Sequence, residues 1–198
     1  KQHHDMSEPQ PYSDLYRAAQ HGRVIAVIGG PNCRTWSIRK HYPQADGSPG
    51  RPLRGRTPDT VWGLPTNSRT EQEKCDHDSL LLLRQLALTH LALRATAYNT
   101  PVLLEHSADP AAHSPHPSAH MCSTIWDTEL IHHFQLTHNL RVTTFDQCNL
   151  GQIVPKTTTI QHNISQLHQL HKWYCEHQQH NCRITDTSTL SRWPWELN

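Results

Sequence analysis

Apolar positions in this chain gather into a few short runs separated by long polar stretches. Residues 23–28 (Arg-Val-Ile-Ala-Val-Ile) form the first run, almost continuous and rich in β-branched side chains. A strand covered on both faces reads this way, as strands of parallel sheets do. Residues 13–21 before it predict a helix, with Ser13 as its N-cap and Gly22 as its stop. Residues 1–12 are polar and read as a disordered segment or linker.

The strongest helical signal covers residues 78–98. Leu80, Leu83, Leu86, Ala87, Leu91 and Arg94 keep helical spacing, while Leu81, Leu82, Leu88 and Leu93 widen the apolar face. Asp78 or Ser79 would cap this helix, and Asn99 and Pro101 would end it. Residues 34–74 show no period and predict a long loop, which inside a domain usually carries function or disorder. Residues 101–106 predict a second short buried strand, and 107–120 a loop. A helix is expected over 124–138, a strand around 140–145, a β-branched run at 157–161, and a helix over 165–177 before a polar tail. Strands alternating with helices indicate an α/β sheet with right-handed crossovers.

Composition narrows this picture. The chain has 198 residues, enough for one domain. Hydrophobic residues make up 35% and the mean hydropathy is −0.72, so the core must be concentrated in those few runs. No run approaches the ~20 apolar residues of a membrane span. The net charge of +1 does not announce a nucleic-acid partner, although 18 histidines add positive charge below neutrality. The six cysteines (33, 75, 122, 148, 175 and 182) are irregularly spaced and no signal peptide precedes them. They read as reduced thiols of an intracellular protein, nuclear or cytoplasmic. The chain starts on Lys1 rather than Met, which suggests a piece of something longer.

Candidate chemistry sits at the ends of the first two strands. In open α/β sheets reactive groups collect beyond the carboxyl ends of the strands. The first strand runs into Gly29-Gly30-Pro31-Asn32-Cys33 and the second into Glu105-His106. A thiolate is a strong nucleophile, and a nearby carboxyl group can donate a proton to the substrate it attacks. A lone cysteine after a strand is most often a small buried residue, and a strand-end glutamate most often a cap or a solvated group.

Gly-Gly-Pro-Asn-Cys-Arg-Thr-Trp-Ser at 29–37 resembles the Gly-Gly-Pro-Pro-Cys-Gln-x-Phe-Ser motif of cytosine-5 DNA methyltransferases. Val-Leu-Leu-Glu-His at 102–106 is similar to that family's Val-Leu-Glu-Asn-Val motif. Gly151, then Val154-Pro155-Lys156, then residues 157–160 are similar to its Tyr-Gly-Val-Pro-Gln-Arg-Arg stretch and the strand after it. The similarity covers roughly residues 14–163, the catalytic region, with a C-terminal helix and polar tail over 164–198.

The resemblance implies a partial Rossmann-like methyltransferase sheet with flanking helices and long loops. It implies that Cys33 adds to C6 of a flipped-out cytosine while Glu105 contacts N3. C5 then takes a methyl group from S-adenosylmethionine. Pro31, Asn32, Ser37, Arg51, Arg54, Arg56 and Lys156 would meet the substrate, the loop arginines through phosphates or by closing over the base. The partner implied is DNA, with RNA left open.

The sequence also departs from the family. Asn32 replaces the second proline, Arg34 the glutamine, His106 the asparagine, and the basic pair is reduced to Lys156. The Phe-x-Gly-x-Gly loop that binds the cofactor is absent and is expected upstream of residue 1. The final Gly-Asn motif of the cofactor pocket is not visible either. Two other functions therefore stand beside the enzyme: a non-catalytic nucleic-acid-binding or interaction module, and a cysteine hydrolase pairing Cys33 with a histidine such as His106. Cys175, His177, His180 and Cys182 are zinc-ligand types packed too tightly for a finger pattern, and surface histidines with spare thiols explain them better than a metal. His162, His168 and His171 at helical spacing, and Trp193-Pro194-Trp195 as an anchor, are weaker signals.

Overall fold

The structure is a computed structural model that describes residues 5–44, 46–95, 99–152 and 156–176. Helix α1 (Pro9–Gln20) opens on a proline, whose missing N–H is no loss in a first turn. It therefore begins at Pro9 rather than at Ser13, and residues 9–12 are helical rather than linker. Gly22 follows it with φ +65, the left-handed turn expected of its stop.

Strand β1 is short, Val27–Gly29. It is not covered on both faces: Ile28 is 63% and Ile25 89% exposed. The reason is position, because β1 is an edge strand and pairs only with β2 (Val102–Ser107) among the described residues. That pairing is parallel, with Val27 opposite Val102.

The crossover between them is helix α2 (Arg69–Ala95). It starts well before the expected residue 78 because Ser68 and Glu71 form a capping box. Glu71 accepts from the Ser68 N–H at 2.8 Å, and Ser68 Oγ accepts from the Glu71 N–H at 3.4 Å. Leu82 and Leu86 face the core, whereas Leu80 and Leu83 are 38% and 46% exposed.

After β2 come the single turn α3 (Pro110–His113), helix α4 (Glu129–His138), strand β3 (Arg141–Asp146) and strand β4 (Thr157–His162). Thr128 Oγ caps α4 by accepting from the Ile131 N–H, and Asn139 ends it at φ 48. The sheet order is β1-β2-β4-β3, with β4 antiparallel to both neighbours. The fold is thus mixed α/β around a four-stranded mixed sheet. Only β1 and β2 make the parallel pair that a crossover pattern predicts.

The two faces carry separate cores. On one, Leu104 packs with Trp36, Val61, Leu82, Leu86, Ile125 and Ile131. On the other, Leu103, Phe145, Leu150 and Ile160 are covered by Leu167 and Leu170. Those two leucines belong to a 3-10 turn, Ser165–Leu170, in place of the helix expected over 165–177. The chain then turns back along the outer edge of β3: the Lys172 N–H donates to Thr144 O at 2.8 Å, and the Asp146 N–H to Trp173 O at 3.0 Å.

The interior of the sheet is unusually polar. Thr143, Thr158, Thr159, Gln161 and His162 are all buried. Side chains pair across strands: Thr143 Oγ with His162 Nε2 at 2.9 Å, Thr144 Oγ with Thr159 Oγ at 2.9 Å, and Gln147 Nε2 donating to Thr158 Oγ at 2.8 Å.

Candidate active site

A cavity of about 1380 Å³ opens beyond the carboxyl ends of β1 and β2. Cys33, Glu105 and Lys156 all line it, as do Pro31, Asn32 and Ser37. Lys156 precedes β4 and meets Glu105 because β4 runs antiparallel beside β2; its Nζ donates to Glu105 Oε1 at 3.2 Å. Both side chains are largely buried, with 18% and 11% of each exposed.

Gly30 makes this geometry possible. A Cβ at that position would stand 2.4 Å from Glu105 Oε2 and 3.0 Å from its carbonyl oxygen. Only a residue without a side chain lets the backbone lie against the carboxylate. Gln85 of α2 fixes the two strand ends from behind, its Nε2 donating to Gly29 O at 3.0 Å and to Leu103 O at 3.2 Å.

The turn carrying Cys33 is held from both sides. Asn32 Oδ1 accepts from the Arg34 N–H at 3.0 Å, and the Trp36 N–H donates to Cys33 O at 3.0 Å. Ser37 Oγ accepts from the Arg39 N–H at 3.2 Å and so starts the next 3-10 turn. The deeper anchor is Asp78, fully buried on α2. It accepts from Arg34 Nε at 3.0 Å, the Thr35 N–H at 3.2 Å and Thr35 Oγ at 2.7 Å.

Arg54 completes that anchor instead of reaching the cavity. It is 2% exposed. Its guanidinium donates to Thr35 Oγ, Val61 O, Cys75 O and Ser79 Oγ, and lies 3.9 Å over the Trp36 ring. Arg51 is bound to Glu71, with Nη2 to Oε2 at 2.9 Å. Arg56 bridges Asp109 and Asp127 at 2.5 and 2.6 Å. None of the three, expected to meet substrate, lines the cavity: carboxylates and buried carbonyls already occupy their forks. Besides Lys156, the Arg and Lys side chains on the cavity wall are Arg34, Arg39 and Lys40. Arg34 is tied to Asp78, while Arg39 and Lys40 enter no ion pair among the described residues.

His106, the hydrolase candidate, points away. Neighbours along a strand alternate faces, so His106 is on the face opposite Glu105. It lies edge-on between Trp36 and Trp126, with ring centroids 6.2 and 6.3 Å away. Burial holds its imidazole neutral, pushing its pKa down to about 3. A Cys33–His106 pair is therefore excluded by placement.

Sequence reasoning gives Asp78 only the role of a helix cap and does not single out Gln85. A carboxylate on the apolar stripe of a long helix is the available sign for Asp78. Nothing local marks Arg54, whose partners are remote in sequence. Val154 and Pro155 of the third motif lie outside the described residues, as do His177, His180, Cys182 and Trp193-Pro194-Trp195. Among the described residues no cluster of three or more His, Cys, Asp or Glu could hold a metal ion. No described helix is long and apolar enough to cross a membrane.

The residues do not fit S-adenosylmethionine. Away from Cys33 the cavity wall is apolar, built by Leu15, Val24, Ala26, Ile28, Leu81 and Leu88. Among the described residues its only carboxylate besides Glu105 is Asp5, which accepts from the Ser7 N–H at 2.8 Å. Among the described residues no glycine-rich strand-to-helix turn faces it to receive the ribose and the charged end of the cofactor. Set against models of known protein families, curated proteins and solved structures, the chain matches none.

Proposed function

We propose that this chain is a nucleophilic half-site of the cytosine-5 DNA methyltransferase type, acting on a cytosine of DNA. The observation that carries this reading is the meeting of Cys33, Glu105 and Lys156 on one cavity at the carboxyl ends of a parallel strand pair. The sheet then reads as the catalytic portion of a Rossmann-like methyltransferase sheet. Such a protein belongs where DNA is, in the nucleus or cytoplasm.

The chemistry follows from the groups present. A cytosine in a duplex is stacked, so it enters the cavity flipped out. The Cys33 thiolate adds to C6. Glu105, positioned by Lys156 and carrying a proton, donates it to N3 so that the electron pair pushed into the ring does not accumulate as bare charge. The activated C5 takes a proton from solvent, and loss of a C5 proton followed by Cys33 restores the base. Arg39 and Lys40, exposed on the rim, pair with phosphates in place of the three loop arginines. No methyl-transfer step is derived, because the residues do not fit the methyl donor.

A cytosine duplex in deuterium oxide tests this directly. Exchange of the C5 hydrogen, read by mass spectrometry and lost in Cys33→Ser, is the expected result. Duplex binding with no exchange assigns the non-catalytic nucleic-acid module instead, which the apolar cofactor side and the unpaired Arg39 and Lys40 favour. Neither binding nor exchange overturns both readings.

A further inference from the structure

A second reactive pair lies away from the cavity, beside the outer edge of β3. Cys148 is buried in the 3-10 turn Gln147–Leu150 that follows β3. Cys175 is half-buried, and both thiols are reduced.

The chain between them returns to the same turn. After Leu170 the segment lies along β3 through the Lys172 and Asp146 backbone bonds already described. Asn149 Nδ2 donates to Trp173 O at 2.8 Å, and the Cys175 N–H donates to Asp146 Oδ2 at 2.7 Å. These bonds set Cys175 beside the turn that carries Cys148. Burial first, and then the neighbouring Cys175 thiol, push the Cys148 thiol up to about 12. The more exposed Cys175 is thus the sulfur that an oxidant meets first.

We propose that Cys148 and Cys175 form a site of reversible oxidative modification, closing to a disulfide in exchange with a small-molecule disulfide such as glutathione disulfide. The Cys175 thiolate attacks one sulfur of glutathione disulfide, forming a mixed disulfide and releasing one glutathione thiolate. Cys148 then gives up its proton and attacks the Cys175 sulfur, releasing the second glutathione. Two protein thiols are oxidised and one glutathione disulfide is reduced to two thiols.

The other described cysteines lack this arrangement. Cys75 faces Leu53 O, Cys122 faces Trp36 O, and Cys33 faces the cavity. The bond would clasp the returning segment to the turn. The Gln147 N–H of the same turn donates to Lys156 O at 3.1 Å. This inference is independent of the proposed reaction.

The test takes the full chain through glutathione buffers of graded ratio, followed by alkylation, digestion and mass spectrometry. The expected product is a peptide pair joined through Cys148 and Cys175, lighter by two hydrogens, still formed in Cys182→Ser and abolished in Cys175→Ser. Trypsin cleavage after Lys172 should slow several-fold in the oxidised wild type. A Cys175–Cys182 bond, a mixed disulfide that never resolves, or no oxidation at any ratio would overturn the proposal.

Discussion

Asp78 is a carboxylate with no access to water, held by three donors from the turn that follows Cys33. Arg54 lies beside it, equally buried, and the two share Thr35 Oγ. Removing one member of such a group leaves the other as an uncompensated buried charge. Asp78→Ala should therefore cost about 3–5 kcal/mol, read from the urea midpoint. His106 gives a second expectation. Its folded pKa of about 3 lies below the ordinary value of 6.5. The unfolded chain binds a proton here that the folded chain refuses as pH falls from 6.5 toward 3. Stability is thus fully present above 6.5 and declines below it by on the order of 1 kcal/mol per pH unit from this group. His106→Phe should flatten that decline in urea titrations at pH 7 and 5; an unchanged slope would show that other histidines carry it.

At the level of elements, the ends are set by short-range chemistry. Ser68→Ala removes the cap that starts α2 and should cost about 1 kcal/mol, seen as a lower thermal midpoint. This capping box was legible as Ser-x-x-Glu, yet the apolar stripe drew attention to residue 78, where it becomes continuous. The β1 run shows the opposite difficulty. Val24, Ile25, Val27 and Ile28 spell a doubly covered strand, but local pattern says nothing about which neighbours exist, and Ile25 and Ile28 are exposed on an edge. Cys33 and Glu105 could be seen as strand ends because each follows its own apolar run. The fates of Arg51, Arg54 and Arg56 could not, because their partners at Glu71, Cys75, Ser79, Asp109 and Asp127 are brought to them only by the fold.

For the molecule as a whole, a net charge of +1 leaves little long-range attraction for a polyanion. On the proposed reading, the affinity for DNA comes from cations concentrated at the cavity rim. Replacing Arg39 or Lys40 by alanine should weaken duplex binding by similar factors for different sequences. Each should lower the slope of log K against log salt by about 1. Arg51→Ala, by contrast, should leave that slope unchanged, since Glu71 already neutralises it.

The polar interior of the sheet has a further consequence. Apolar side chains are interchangeable partners, and a strand of valines can slide along its neighbour with modest loss. Threonine, glutamine and histidine are not, because each hydrogen bond has one address. Shifting β4 by a single residue would separate Thr143 from His162, Thr144 from Thr159 and Gln147 from Thr158 together, each stranded without water. The central strand is written like a key with three teeth: it enters its lock in one alignment and jams in every other.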